Sequence, residues 1–399
     1  MLSDVLEYIN SCVSGPGLAA VIFVCGAVLF ARLGPFAIVH PKRTLAALRS
    51  GGGDGMSPAK AMCVALAGTL GVGNIAGVAS AIYIGGAGAI FWMWVSALAA
   101  MPIKYAETVL ALGHRRRKED GWHGGAFFYI SDTRRKGSGF AAGLFAVLCL
   151  ATSLSMGSAV QAEAAAESLT RLTGMPVAVC GVIVALPVLA VILGGLKRIA
   201  DMSAKLIPAV CGLYILMSLY IIFDNIPLLS VVFGKIFAGA ADISAAGGGI
   251  FGFTLSRAVS VGVTRGIVSN EAGCGTAPIA HSGAGVKSPA AQGVFGMLEV
   301  AVDTLVICTM TALVVLIGAE RGLAVGADGM ETALVAFGMF IPFSDRALSV
   351  SVIIFAFCTM ICWYYYGSES VAYLGLRHAG KAYPFVFAAA AVAGTLSGE

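Results

Sequence analysis

Apolar residues fall along this chain in ten runs, at about 17–39, 60–84, 86–112, 139–168, 176–195, 204–223, 251–270, 290–318, 347–376 and 383–397, with short polar stretches between them. Runs of this kind predict helices that cross a bilayer. Two of them are interrupted. The stretches 68-GTLGVGNIAG-77 and 265-RGIVSNEAGCG-275 set glycines and the similar tetrads Asn74-Ile-Ala-Gly77 and Asn270-Glu-Ala-Gly273 inside otherwise apolar segments. In hydrocarbon every backbone N–H and C=O needs a partner inside the protein, so a glycine-rich break is tolerated only where the freed groups face a cavity or a ligand. Corresponding breaks in the two halves of a chain point to the binding site of a repeat-built transporter.

Composition supports this reading. Hydrophobic residues make up 58% of the 399 positions and charged ones 12%, and the mean hydropathy is +0.91, which excludes an ordinary soluble domain and predicts an all-α polytopic membrane protein. The N-terminus has Asp4 and Glu7 but no basic region, and the first run is too long for a signal-peptide core, so it is expected to stay as a helix. The ten cysteines lie mostly in apolar spans, without C-x-x-C pairs or nearby histidines at ligand spacing, which implies neither disulfides nor a zinc site.

Charge sets the expected topology. With the first loop cytoplasmic, Lys42, Arg43, Arg49, Lys60, Arg115 to Lys118, Arg134 to Lys136, Lys197, Arg198, Lys205, Lys287, Arg377 and Lys381 fall inside, and only Arg171, Lys235, Arg321 and Arg346 fall outside. The positive-inside rule then places the N-terminus outside. Spans two and seven, which carry the breaks, run in opposite directions, so two five-helix units have inverted topology. Four segments follow: 1–59 with the external N-terminus, first helix and cytoplasmic loop; 60–223 as the first unit; 224–250 as an external loop; and 251–399 as the second. The stretches 224–250 and 319–346 read as external hairpins or short helices over the entrance. The cluster 114-HRRRKED-120 reads as a solvated loop, with contact to anionic headgroups as the alternative.

Several polar residues sit where only helix packing or ligand binding explains them. Gly73 and Gly77 have the small-x-x-x-small spacing of helix packing, yet four glycines in ten residues, with Thr69 and Asn74 among them, exceed what packing needs. An unwound stretch there presents N–H groups and a helix dipole to an anionic group, while released carbonyls bind a cation. Arg265 and Glu271 flank Ser269 and Asn270, and are expected to form a salt bridge that gates the inner side rather than to touch a substrate. Ser269 and Asn270 read as polar lining. His281, in the small-residue stretch 276–289, reads as a hydrogen-bonded structural histidine. In the fourth span, Gln161 offers both donor and acceptor to a polar ligand or to a neighbouring helix, and Glu163 and Glu167 approach the outer end. In the ninth, Thr359 and Trp363 lie i, i+4 on one helical face, while Tyr364 to Tyr366 suit an interfacial belt. Asp303, beside Thr304, is a buried acid that suits a cation or a partner in Arg257 or Arg265.

The run GTLGVGNIAGVASAIYIGGAGAIFWMWVSALAAMPIKYAETVLA, the segment SNEAGCGTAPIAH, the helix containing Gln161 and the TxxxWYYYG pattern together resemble the sodium:alanine (alanine/glycine:cation) symporter family over nearly the whole chain. The resemblance implies a LeuT-type core of two inverted five-helix repeats preceded by one extra helix, in the plasma membrane, with sodium driving uptake of alanine, glycine or a similar small amino acid. By match to the family's motifs, Thr69, Gly71, Gly73, Asn74, Gly77, Gln161 and Trp363 surround the substrate, and Thr359 with the backbone near Asn74 holds sodium; Ser269 and Asn270 are added as lining and Asp303 as a further cation ligand. The chain departs from the family at Gly85-Gly86-Ala87-Gly88, where proline is usual, and at Gly124-Gly125-Ala126, where Gly-Gly-Pro is usual. Ending at Glu399, it is expected to lack the last helix of its second repeat and to be a truncated product. A proton-coupled amino-acid carrier using Glu271, Asp303 or Glu163 is the alternative. A channel needs rings of charge or repeated carbonyls, and an enzyme needs a nucleophile with its base or a metal cluster; the chain offers neither pattern. Nucleic acid is not an expected partner, because the basic residues sit in loops between spans.

Overall fold

Helices form wherever the apolar runs are long enough and stop at glycines, prolines and polar caps. The protein is described here by a computed structural model covering residues 16–33, 53–119, 121–133, 135–241 and 257–396. In chain order the helices are α1 (Pro16–Leu33), α2 (Pro58–Thr69), α3 (Ala76–Gly85), α4 (Gly88–Gly113), α5 (Ala126–Asp132), α6 (Ser138–Thr173), α7 (Val177–Ile192), α8 (Gly195–Asp224), α9 (Ile226–Ala240), α10 (Arg257–Asn270), α11 (Ala277–Ser282), α12 (Pro289–Glu320), α13 (Gly329–Gly338), α14 (Ser344–Tyr373) and α15 (Arg377–Leu396). A short hairpin, β1 (Arg116–Lys118) with β2 (Gly121–His123), joins α4 to α5. Among the described residues six helices are long and apolar enough to cross a membrane, and α2 and α3 make a seventh span bent by 70°. The chain is thus a helical, polytopic membrane protein. Three further expected spans correspond to the shorter helices α1, α7 and the described part of the seventh run, α10.

Each break has a local cause. Ser57 caps α2, its hydroxyl accepting from the Lys60 N–H at 3.3 Å, and Pro58 opens the first turn. The helix ends at Thr69, and a single 3₁₀ turn, Val72–Asn74, leads into α3. In the second half, α10 stops at Asn270, whose side chain accepts from the Ala272 N–H at 3.0 Å. Glu271 there has a left-handed backbone, φ 53°, followed by glycines at 273 and 275 that are also left-handed. A non-glycine residue in that region is strained and persists only where its surroundings hold it. Two π-helical stretches, Ser155–Ala159 in α6 and Ala301–Cys308 in α12, rotate the faces of those helices, as such bulges often do at functional sites.

Both stretches expected to be external contain short helices among their described residues. Phe233 and Phe237 of α9 pack on Trp94 and Phe91 of α4, and the approach is so close that a Cβ on Gly88 would stand 2.3 Å from the Gly239 carbonyl. α13 lays Phe337 on Tyr214 of α8. The arginines of the 114–120 cluster are engaged within the protein. Arg115 donates to the Ser282 and Ala284 carbonyls and lies over Trp122, Arg116 pairs with Asp132, and Arg117 pairs with Asp54. Among the described residues, Lys118 is the cation of that strand for which no such contact is seen. The expected inward charges Lys42, Arg43, Arg49 and Arg134, the side chain of Arg377, and the N-terminal residues Asp4 and Glu7 lie outside the described residues.

Candidate functional site

The two breaks meet at mid-bundle. Gly68, Thr69, Gly71 and Gly73 of the first, Ser269 and Glu271 of the second, Met156 and Gln161 of α6, Thr359 of α14 and Arg265 and Val268 of α10 enclose a cavity of about 50 Å³. At ~15 Å³ per water on this measure, it holds a few waters or a very small solute. Gly71 is where the walls close: a Cβ there would stand 3.1 Å from both Gln161 Oε1 and Thr359 Oγ1. Gln161 donates from Nε2 to the Met156 carbonyl at 3.4 Å, and its Oε1 is buried without a partner. An orphaned acceptor in such a place costs free energy unless a ligand or water supplies a donor. Thr359 donates its hydroxyl to the Leu70 carbonyl at 3.1 Å and to the Phe355 carbonyl at 3.0 Å. One hydroxyl and two carbonyls thus cluster where helix α2 has just unwound.

A second polar cluster lies behind this cavity. Asp303 is fully buried and accepts from Asn74 Nδ2 at 2.7 Å, Ser269 Oγ at 2.6 Å and Thr304 Oγ1 at 2.8 Å. Asn74 is fully committed: its Oδ1 accepts from the Gly71 N–H, and its carbonyl accepts from Thr311. Asp303 therefore ties both breaks to α12, and it pairs with neither Arg257 nor Arg265. Asn270 bonds to Thr304 and to its own turn. Trp363 lines no part of the cavity; its indole N–H donates to the Gly68 carbonyl at 3.2 Å and its ring packs on Gly157, where a Cβ would stand 2.4 Å away. Gly77 lies beside the Arg265 guanidinium, where an added Cβ would stand 3.7 Å from Nη1. Thr69, Gly71, Gly73, Gln161, Ser269 and Thr359 thus come together, while Asn74, Gly77, Asn270, Asp303 and Trp363 form a shell around them.

The expected Arg265–Glu271 salt bridge does not form among the described residues. Because Glu271 takes the left-handed turn, its carboxylate meets Thr276 Oγ1 at 2.6 Å at the start of α11 instead. Among the described residues a fully buried lysine–carboxylate pair lies elsewhere, Lys104–Glu299, 3.2 Å apart, between α4 and α12. Glu299 also meets His281 Nε2 at 2.9 Å, and Gln292 Nε2 lies 2.8 Å from the other ring nitrogen, so the histidine is bonded on both sides. Glu107, one turn beyond Lys104, accepts from the Gly273 and Gly275 N–H groups at 3.1 and 3.0 Å, satisfying the second break from outside. Sequence reasoning passed over Lys104, Glu107 and Glu299, although ionisable residues in apolar spans are themselves the signal.

This arrangement, two discontinuous helices whose free backbone surrounds a small polar cavity within a helical bundle, defines a membrane carrier. The chain belongs to the sodium:alanine symporter family, whose model matches residues 1–398. It is 38% identical over 384 residues to an uncharacterised transporter of Haemophilus influenzae, covering 94% of this chain and 84% of that one. It is 34% identical to the sodium/alanine symporter AgcS of Methanococcus maripaludis, covering 93% and 83%. Against the probable sodium/glutamine symporter GlnT of Bacillus subtilis it is 33% identical, covering 80% and 66%.

Proposed function

We propose that the chain is a sodium-coupled symporter that carries a small neutral amino acid, alanine or glycine, into the cell across the plasma membrane. Its core would be two inverted repeats of LeuT type, the five-helix unit 60–223 and the second repeat in 251–399, of which four spans are present, with the N-terminus outside, and it would work by alternating access. The observation that carries this reading is the cavity at the unwound Gly68–Gly73 stretch, with the orphaned Gln161 Oε1 on one wall and the Thr359 hydroxyl on another. Free N–H groups of the break suit a substrate carboxylate, and Gln161 Oε1 suits its ammonium. Thr359 Oγ1 and the Leu70 and Phe355 carbonyls are hard, neutral oxygens suited to sodium. Asn74 and Asp303, whose groups are held by each other and by their neighbours, would shape that site from behind. The small cavity favours alanine or glycine over the glutamine in the name of the GlnT relative. Proton coupling is the second reading, supported by three buried carboxylates, Glu107, Glu271 and Glu299, around the single Lys104.

Two substitutions separate the substrate and sodium roles. Gln161→Ala is expected to weaken alanine binding by the worth of a hydrogen bond to a charged group, about 1.5–3 kcal/mol or roughly ten- to hundredfold, with little change in protein yield. Thr359→Val keeps the shape and removes the oxygen, so the sodium concentration for half-maximal binding should rise while alanine affinity at saturating sodium stays near normal. Isothermal titration of the purified proteins measures both. Unchanged alanine affinity would return Gln161 to the role of helix glue, and unchanged sodium dependence would remove Thr359 from the sodium site.

A further inference from the structure

Arg265 lies on α10, half-buried, about one turn before the break, and lines the cavity. Among the described residues it forms no ion pair, unlike Lys104, Arg116 and Arg117. Its guanidinium stands against the first turn of α3, beside Gly77. That turn starts at Ala76, so the N–H groups of Ala76, Gly77 and Val78 have no acceptor within their own helix. A guanidinium and the positive end of a helix repel each other, and in a low-dielectric interior the repulsion is poorly screened. An anion placed between them turns both into ligands: the fork of the guanidinium and the parallel N–H groups match the two oxygens of a carboxylate.

We propose that Arg265 is the residue that recognises the substrate's carboxylate, at the edge of the cavity where its guanidinium lies beside the N-terminus of α3. This rests on the amino-acid reading given above and sharpens it: the ligand must carry a free carboxylate, and an amide, ester or amine of the same size is excluded. Arg265 then belongs to binding and takes no part in an inner gate.

The test compares alanine with alaninamide, which keeps the ammonium and methyl groups but has no carboxylate, by titration of purified protein at saturating sodium. The normal protein is expected to prefer alanine by roughly thirtyfold or more, the scale of a charge-assisted bidentate pair. Arg265→Gln should weaken alanine by roughly tenfold or more, leave alaninamide within about threefold, and so collapse the preference. Arg265→Lys retains a point charge without the fork, is gentler on folding, and should lose an intermediate part of the preference with alaninamide again unmoved. Equal weakening of alanine and alaninamide in either variant would overturn the proposal and make Arg265 a packing or gating residue, as would an unaltered preference. A normal protein that binds neither compound would sink the amino-acid reading together with this one, whereas binding with an unmoved preference in the variants would sink this one alone.

Discussion

Asp303→Ala is expected to abolish transport and to cut the yield of folded protein severely. The carboxylate accepts from Asn74, Ser269 and Thr304 together in a fully buried site. Removing it strips the strongest acceptor from all three and leaves Asn74 and Ser269 only each other and the weak Cys308 thiol, at about 1–3 kcal/mol for each buried group left underpaired, a large share of the whole stability of many domains. The damage also reaches the cavity directly, because Asn74 accepts from the Gly71 N–H and Ser269 lines the wall. Asp303→Asn keeps the shape but turns one acceptor into a donor facing donors, so it should fold better and still transport poorly. Thermal unfolding in detergent, read beside sodium-driven alanine uptake, checks the order: native above Asn above Ala in both.

Lys104→Met should be nearly as damaging, for a different reason. It strands Glu299 in a site with 0% exposure, and breaking a buried ion pair by removing one partner costs about 3–5 kcal/mol. Adding Glu299→Gln removes the stranded charge while keeping an acceptor for His281, so the double variant is expected to recover most of the lost stability. The readout is the unfolding midpoint of the four proteins in a double-mutant cycle. Additive losses would show that Lys104 and Glu299 act separately and that the ion pair is incidental.

Much of this molecule was legible before any coordinates. Apolar length alone located the seven long spans, because hydrocarbon sets a minimum run, and the glycine-rich breaks stood out because membrane helices rarely tolerate them. Gln161, Thr359, Thr69 and Ser269, chosen as polar residues in apolar surroundings, share one cavity with Gly71 and Gly73, chosen as glycines of the break. What the sequence could not carry is which neighbour each one meets. The i, i+4 spacing put Thr359 and Trp363 on one face, yet the indole turns to the Gly68 carbonyl and leaves the cavity to the hydroxyl. Arg265 and Glu271 looked like natural partners by sign and distance along the chain, but a left-handed backbone at Glu271 redirects its side chain to Thr276. Lys104, Glu107 and Glu299 hid for the opposite reason: their runs were so apolar that three isolated charges did not disturb them. Spacing in sequence cannot reveal that they converge, since α4 and α12 lie nearly two hundred residues apart.

The central claim, that an imposed sodium gradient drives a small neutral amino acid through this cavity, is tested most directly by uptake of radiolabelled alanine into proteoliposomes, with sodium and proton gradients imposed separately. Accumulation with inward sodium, lost when choline replaces sodium and unaffected by an inward proton gradient alone, is the expected result. Accumulation driven by protons with sodium absent, or leucine outcompeting alanine under an inward sodium gradient, would contradict it.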